Sequence, residues 1–236
     1  MDPLARLAAL EGVASGMAAT RDGIDAMLRD RGLRRTAPEL TGRSLLLGAH
    51  ASAVLSGSTA VFERVEVGEY DDVAAAAVRV STELLGLAPT LASSPLQVLA
   101  RLHTLAAKGT VPDEDLGRPV QGSARLADLS HLLLEDTAAP ALVVAAIAHA
   151  EVISVAPFVS HNGIVARAFE RLLMVARGLD PTSLVVPEAG HLALRPQYES
   201  NLVGYQEGGP AGVHAWLLYA AEAYAAGANA SPLKSA

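Results

Sequence analysis

Cysteine is absent from all 236 residues. Disulfides, thiolate metal sites, iron–sulfur clusters and a cysteine nucleophile are therefore excluded. Aromatic residues are scarce, at 4%. Basic charge is also in deficit, with 18 Lys and Arg against 25 Asp and Glu, a formal charge of −7 and a pI near 5.5. A general nucleic-acid binder carries a basic stripe. Here Arg29, Arg31, Arg34 and Arg35 are interrupted by Asp30 and read as a solvated helix end. Long uninterrupted apolar runs are missing too. Residues 139–155 come nearest, but His149, Glu151 and Ser154 break them, so a buried helix is expected rather than a membrane span. Met1-Asp2-Pro3 lacks the basic start of a secretory signal, and a cytoplasmic address is expected.

What is present in abundance is apolar residues, 51% of the chain, with alanine dominant. That composition favours close-packed helices, because alanine has the best helix propensity and little preference for sheets. The periodicity predicts an all-α fold. Leu4, Leu7, Leu10, Val13, Met17, Ile24, Met27 and Leu28 predict one long first helix. Pro38, Asp71 and Ser94-Pro95 mark further helix starts, and Ser123 to Glu135 is helical again. Gly and Pro punctuate residues 109–122, which predicts a loop or small hairpin. Asn162 to Arg177 reads as a strong helix stopped by Gly178. Residues 198–206 and 213–226 complete the helical set. The chain divides into an N-terminal helical region (1–36), a main domain (37–228) and a flexible tail (229–236).

Few stretches carry chemistry. There is no GxGxxG after a strand, no GxxxxGK[ST], no GxSxG and no HExxH, so dinucleotide redox, P-loop hydrolysis and zincin chemistry have no support. No metal site is expected. His149 reads as a core histidine with one hydrogen-bonded nitrogen, Glu188 and His191 as residues of an exposed turn, and Trp216 as core or a dimer contact. The informative stretch is Val155-Ala156-Pro157-Phe158-Val159-Ser160-His161-Asn162-Gly163-Ile164-Val165-Ala166-Arg167. A buried helix ends, the chain turns at Pro157-Phe158, and Asn162-Gly163 opens a second helix. The first amides of that helix lack intrahelical acceptors and carry the positive end of its dipole. Gly163 permits close approach to the backbone. Arg167 lies one turn in. Together Asn162, Gly163 and Arg167 form a generic phosphate or anion site.

The same stretch resembles the Fic (Fido-domain) signature, a loop of the form HPFx(D/E)GNGRxxR between two core helices. Pro157, Phe158, Asn162, Gly163 and Arg167 match. The resemblance is specific over residues 120–182 and extends from Pro38 onward. It implies a Fic-like helical bundle with a small irregular or hairpin flap, in which residues 109–122 dock a protein target. It also implies transfer of AMP from ATP to a protein hydroxyl, with a motif His as base, a motif acid on magnesium and two arginines on the phosphates. Here those positions are degenerate: Ala156 replaces the base, Ser160 the acid and Ile164 the first arginine. Loss of a general base removes roughly 10²–10⁴ in rate, or about 3–5 kcal/mol. Many such proteins also carry an inhibitory helix, (S/T)xxxE(G/N), whose Glu pairs with the last motif arginine. Ser52, Ser56 and Gly57 fit that frame with Ser56 in place of the Glu, or mark a plain glycine-capped helix end.

Three functions follow as expectations. The first is a Fic-fold pseudoenzyme without AMPylation, acting by binding a protein partner, a small anion or a nucleotide. The second is an active nucleotidyl or phosphoryl-group transferase that uses His161 as substitute base with ATP and magnesium as cofactors. The third is a structural or homodimerising helical protein. No nucleic-acid or membrane partner is expected.

Overall fold

A computed structural model describes residues 2–29 and 38–234. Arg31, Arg34 and Arg35 of the basic cluster lie outside the described residues. The elements in chain order are α1 (Pro3–Ala8), α2 (Val13–Arg29), α3 (Pro38–Leu55), α4 (Phe62–Glu66), α5 (Asp72–Glu83), α6 (Ala88–Leu91), α7 (Pro95–Ala107), α8 (Ser123–Leu134), α9 (Ala141–Val155), α10 (Asn162–Ala176), α11 (Pro187–Ala193), α12 (Arg195–Glu207) and α13 (Pro210–Asn229). Among the described residues there is no strand, and the fold is all-α. None of the described helices is long and apolar enough to cross a membrane.

α9 is the central rod. Leu142 through Ala150, Val152 and Val155 are buried, which its continuous apolar sequence requires, because any face left in water would cost burial energy. α8, α10, α12 and α13 pack around it. α3 presents Ser44, Gly48, Ala49, Ala51, Ser52 and Ala53 to the interior. These small side chains let α3 lie close to α5, α10 and α11. Local signals work as the sequence suggests at several ends: Asp71 caps α5 by accepting the Ala74 amide at 2.8 Å, and Pro95 starts α7.

Three expectations are corrected and one alternative is decided. The long first helix is two helices, α1 and α2, because Gly12 takes φ +77° where a side chain would press on Leu218. The flap over 109–122 is irregular, not a hairpin; it contains a 3₁₀ turn at Asp113–Asp115. Its one sheet-like contact is the Val120 amide donating to the Pro157 carbonyl at 2.8 Å. The expected exposed turn at Pro187 is helix α11, with Glu188 3% and His191 0% exposed. The tail is packed as far as Lys234: α13 runs through Asn229, and Ser231 and Pro232 are buried.

Candidate functional site

The loop between α9 and α10 is pinned at both ends. α9 stops at Ala156, left-handed at φ 43°, and α10 begins after His161, left-handed at φ 58°. Side chains with a Cβ rarely adopt this conformation, which costs on the order of 1–2 kcal/mol per residue. The surroundings hold it. Gln121 donates to the carbonyls of Val155 (3.0 Å) and Ala156 (2.9 Å). Phe158 is buried and stacked on His103, with ring centroids 4.2 Å apart. His103 Nδ1 accepts the Gly117 amide at 3.0 Å, and burial pushes its pKa down to about 4.

Asn162 is placed at the loop. Its Oδ1 accepts the Phe158 amide at 3.0 Å and its Nδ2 donates to the Phe158 carbonyl at 2.7 Å. The side chain therefore closes the turn on itself, and what Asn162 can offer a ligand is its backbone amide. What faces outward are the first amides of α10, at Asn162, Gly163 and Ile164, which have no acceptor inside the helix.

These amides border a cavity of about 470 Å³. Leu55, Val73, Ile153, Ile164 and Leu202 form its apolar walls, and Ser56, His161, Arg167 and Tyr198 supply polar groups. No carboxylate is among these lining residues. Ala156 does not line it. Ser160 turns aside, its Oγ 2.7 Å from His161 Nδ1. His161 is half-buried, and burial followed by the Arg79 charge lowers its pKa, so it stands as a neutral imidazole at the cavity wall.

Arg167 is 2% exposed. Its Nε donates to Ser52 Oγ at 2.9 Å, Nη1 to the Tyr198 hydroxyl at 3.2 Å, and Nη2 to the Ser52 carbonyl at 2.9 Å and Ser56 Oγ at 2.6 Å. Those bonds use four of the five guanidinium donors; the fifth, on Nη1, remains. Nη1 and Nη2 also pass 3.2 Å from where a Cβ on Gly163 would be, so the glycine is what admits the guanidinium to the helix start. Ser52 and Ser56, at the end of α3, thus both accept from Arg167. Gly57, at φ +98°, ends the helix just beyond.

Behind Arg167 lies a cluster that the sequence did not bring together. Glu170 is fully buried. Its Oε2 lies 2.8 Å from His149 Nδ1 and 3.0 Å from His191 Nε2, and its Oε1 accepts the Tyr224 hydroxyl at 2.6 Å. The His149 contact is close but angled off hydrogen-bond linearity. The outer nitrogens meet tyrosines: His149 Nε2 is 2.9 Å from Tyr198 Oη, and His191 Nδ1 is 2.7 Å from Tyr219 Oη. Burial opposes ionisation of Glu170, but the facing His149 and His191 outweigh it and hold its carboxyl below the usual range. Burial pushes His149 down to about 4. The only hint in the sequence was His149 on the nearly all-apolar α9; Glu170 lies on α10 between Arg167 and Arg171 and gives no such signal.

The His149, Glu170 and His191 ligand atoms lie within 4.8 Å of one another, so a metal must be considered. A structural zinc takes four ligands, and a catalytic one takes three and an opening to substrate. This trio supplies three, is fully buried, and does not line the cavity. Its direct N···O contacts suit a hydrogen-bonded charge cluster better than a metal centre.

Comparison with solved structures settles the architecture. A Fic family protein from Desulfovibrio desulfuricans G20 superposes with a TM-score of 0.71 and 18% identity, over 92% of this chain and 74% of that one. Fic-1 from C. elegans gives 0.70 and 18%, over 92% and 71%. This chain has the Fic fold. No protein-family model matches the sequence, and no curated protein matches it significantly. In the Fic fold of this chain, the loop from Ala156 to His161 joins the two central helices α9 and α10. The cavity opens at the start of α10, beside the docked end of α3.

Proposed function

We propose that this chain is a Fic-fold binding protein for a small anionic ligand, such as phosphate or a nucleoside monophosphate, and that it does not transfer AMP. The observation that carries this reading is Arg167, a buried cation held by neutral hydroxyls, with one donor remaining, at the wall of a carboxylate-free cavity. The α10 amides and their dipole, worth roughly half a charge, add to its attraction for an anion. The apolar walls suit a ligand with an uncharged body, and about 470 Å³ falls within the range of small-molecule sites.

Adenylyl transfer needs more than this loop offers. Ala156 cannot take a proton, Ser160 is a poor ligand for magnesium, and Ile164 is a buried apolar wall. A triphosphate of about four negative charges would meet one arginine and one helix start. His161 is the single titratable base at the cavity, but its Nδ1 is engaged by Ser160, and it caps the helix at the point where an anion must approach.

Thermal unfolding with added ligand tests the proposal, since a ligand that binds only the folded state raises the midpoint by mass action. Phosphate and AMP are expected to raise it, magnesium to add nothing, and Arg167→Met to abolish the rise. Incorporation of label from ATP into protein, lost in His161→Ala, would instead establish the transferase reading.

A further inference from the structure

A buried arginine without a nearby carboxylate needs its charge answered somewhere. Among the described residues, no acidic oxygen lies within ion-pair distance of Arg167, and its four acceptors are neutral. A lone buried ion is costly enough that a protein ordinarily neutralises or pairs it. One buried carboxylate, Glu170, lies one turn along the same helix, facing two imidazoles and a phenol.

Hydrogen-bond direction connects the two. Arg167 Nη1 has only protons to give, so Tyr198 Oη accepts from it. The Tyr198 proton is then directed at its other partner, His149 Nε2, 2.9 Å away. A ring nitrogen that accepts leaves the other as N–H, so His149 turns its Nδ1 proton toward the Glu170 carboxylate. On the far side, His191 Nε2 presents a proton to the same oxygen, and its Nδ1 accepts from Tyr219. The His149–Glu170 link is a 2.8 Å N···O approach off hydrogen-bond linearity, and Glu170 Oε2 faces both imidazoles. Protons point from Arg167 through Tyr198 and His149 to Glu170, so one positive and one negative charge balance across a fully buried path.

We propose that Glu170 is the remote counter-ion of Arg167, acting through His149 and Tyr198, and that it sets how tightly the cavity holds an anion. Glu170 is then a positioning residue that never touches ligand. It keeps Arg167 oriented while partly cancelling the potential an anion feels. The affinity part rests on the anion-binding reading above; the counter-ion part does not.

The experiment has two arms, so the two can fail separately. In the first, urea or thermal unfolding of Arg167→Met, Glu170→Gln and the double variant closes a cycle. Each single change strands one buried charge, and the double removes both. The expected double variant is more stable than the sum of the single losses by at least ~2 °C. If Glu170→Gln alone does not fold, the double variant is expected to fold. An additive cycle, or a double variant as unfolded as the single, overturns the proposal. In the second arm, phosphate is titrated into folded Glu170→Gln. Loss of the remote negative charge is expected to tighten phosphate binding roughly fivefold, whereas a merely structural residue would weaken binding when changed. Unchanged or weaker binding overturns the affinity claim. If wild type binds no phosphate, the anion-binding reading and the affinity claim fall together, and the cycle still decides the counter-ion.

Discussion

Two arginines one turn apart on α10 meet α3 in the same way and differ in their remaining partners. Arg171 donates to the hydroxyl of Ser44 at 2.6 Å and to its carbonyl at 3.2 Å. Arg167 donates to the hydroxyl and carbonyl of Ser52, both at 2.9 Å. Both arginines are buried. Arg171, however, also reaches Glu188 at 3.1 Å, along with Ser183, and none of these groups lines the cavity at the start of α10. Arg167 has Ser56 and Tyr198 where Arg171 has its acid, and it borders open space. A direct carboxylate turns a buried arginine into a structural clip. Hydroxyls satisfy its geometry while leaving its charge for another anion. The sequence position that decides this for Arg167 is Ser56.

The contrast can be broken most strongly at Arg171. Glu188→Gln strands a buried charge, and a loss of about 3–5 kcal/mol is expected, seen as a fall of roughly 10 °C in the unfolding midpoint. Acid acts on the other arginine's side. His149 is held at about 4 by burial, below its ordinary value, so the unfolded chain takes up that proton first as pH falls. His103 shifts the same way. Stability is therefore expected to fall between about pH 6.5 and 4, by up to about 3 kcal/mol for His149. Urea midpoints at pH 7 and pH 4.5 check this, and equal midpoints would contradict it. Glu188→Gln should lower both without changing their difference. A smaller effect is expected at Gly48, where an added Cβ would lie 2.2 Å from Arg171 Nη1 and 2.7 Å from Glu188 Oε2. Gly48→Ala is expected to cost about 1–3 kcal/mol. Finally, Ser56→Glu gives Arg167 an acid of its own. It is expected to weaken phosphate binding at least tenfold, about 1.4 kcal/mol, with little loss of stability; unchanged binding would show that Arg167 is not the anion's partner.

Most of this architecture was legible in the chain. Helix starts at Pro38, Asp71 and Pro95 carry local signals that tertiary packing did not override. The loop from Ala156 to Arg167 and the frame of Ser52, Ser56 and Gly57 could be paired only through the family resemblance, since both match short motifs of that family. What escaped was of two kinds. Backbone events at single residues, such as the break at Gly12, look like continuing periodicity until φ is known. Contacts between helices far apart in sequence, such as Glu170 with His149 and His191, leave no spacing to read. Asn162 shows a third limit: its residue type does not tell where its side chain bonds, and the two bonds to Phe158 are seen only in the structure.

The most direct measurement is calorimetric titration of phosphate into wild type and into Arg167→Met, with and without magnesium. Saturable binding to wild type that is indifferent to magnesium and absent from Arg167→Met is the expected result. Binding that requires magnesium, or that survives in Arg167→Met, would contradict an anion site built on Arg167.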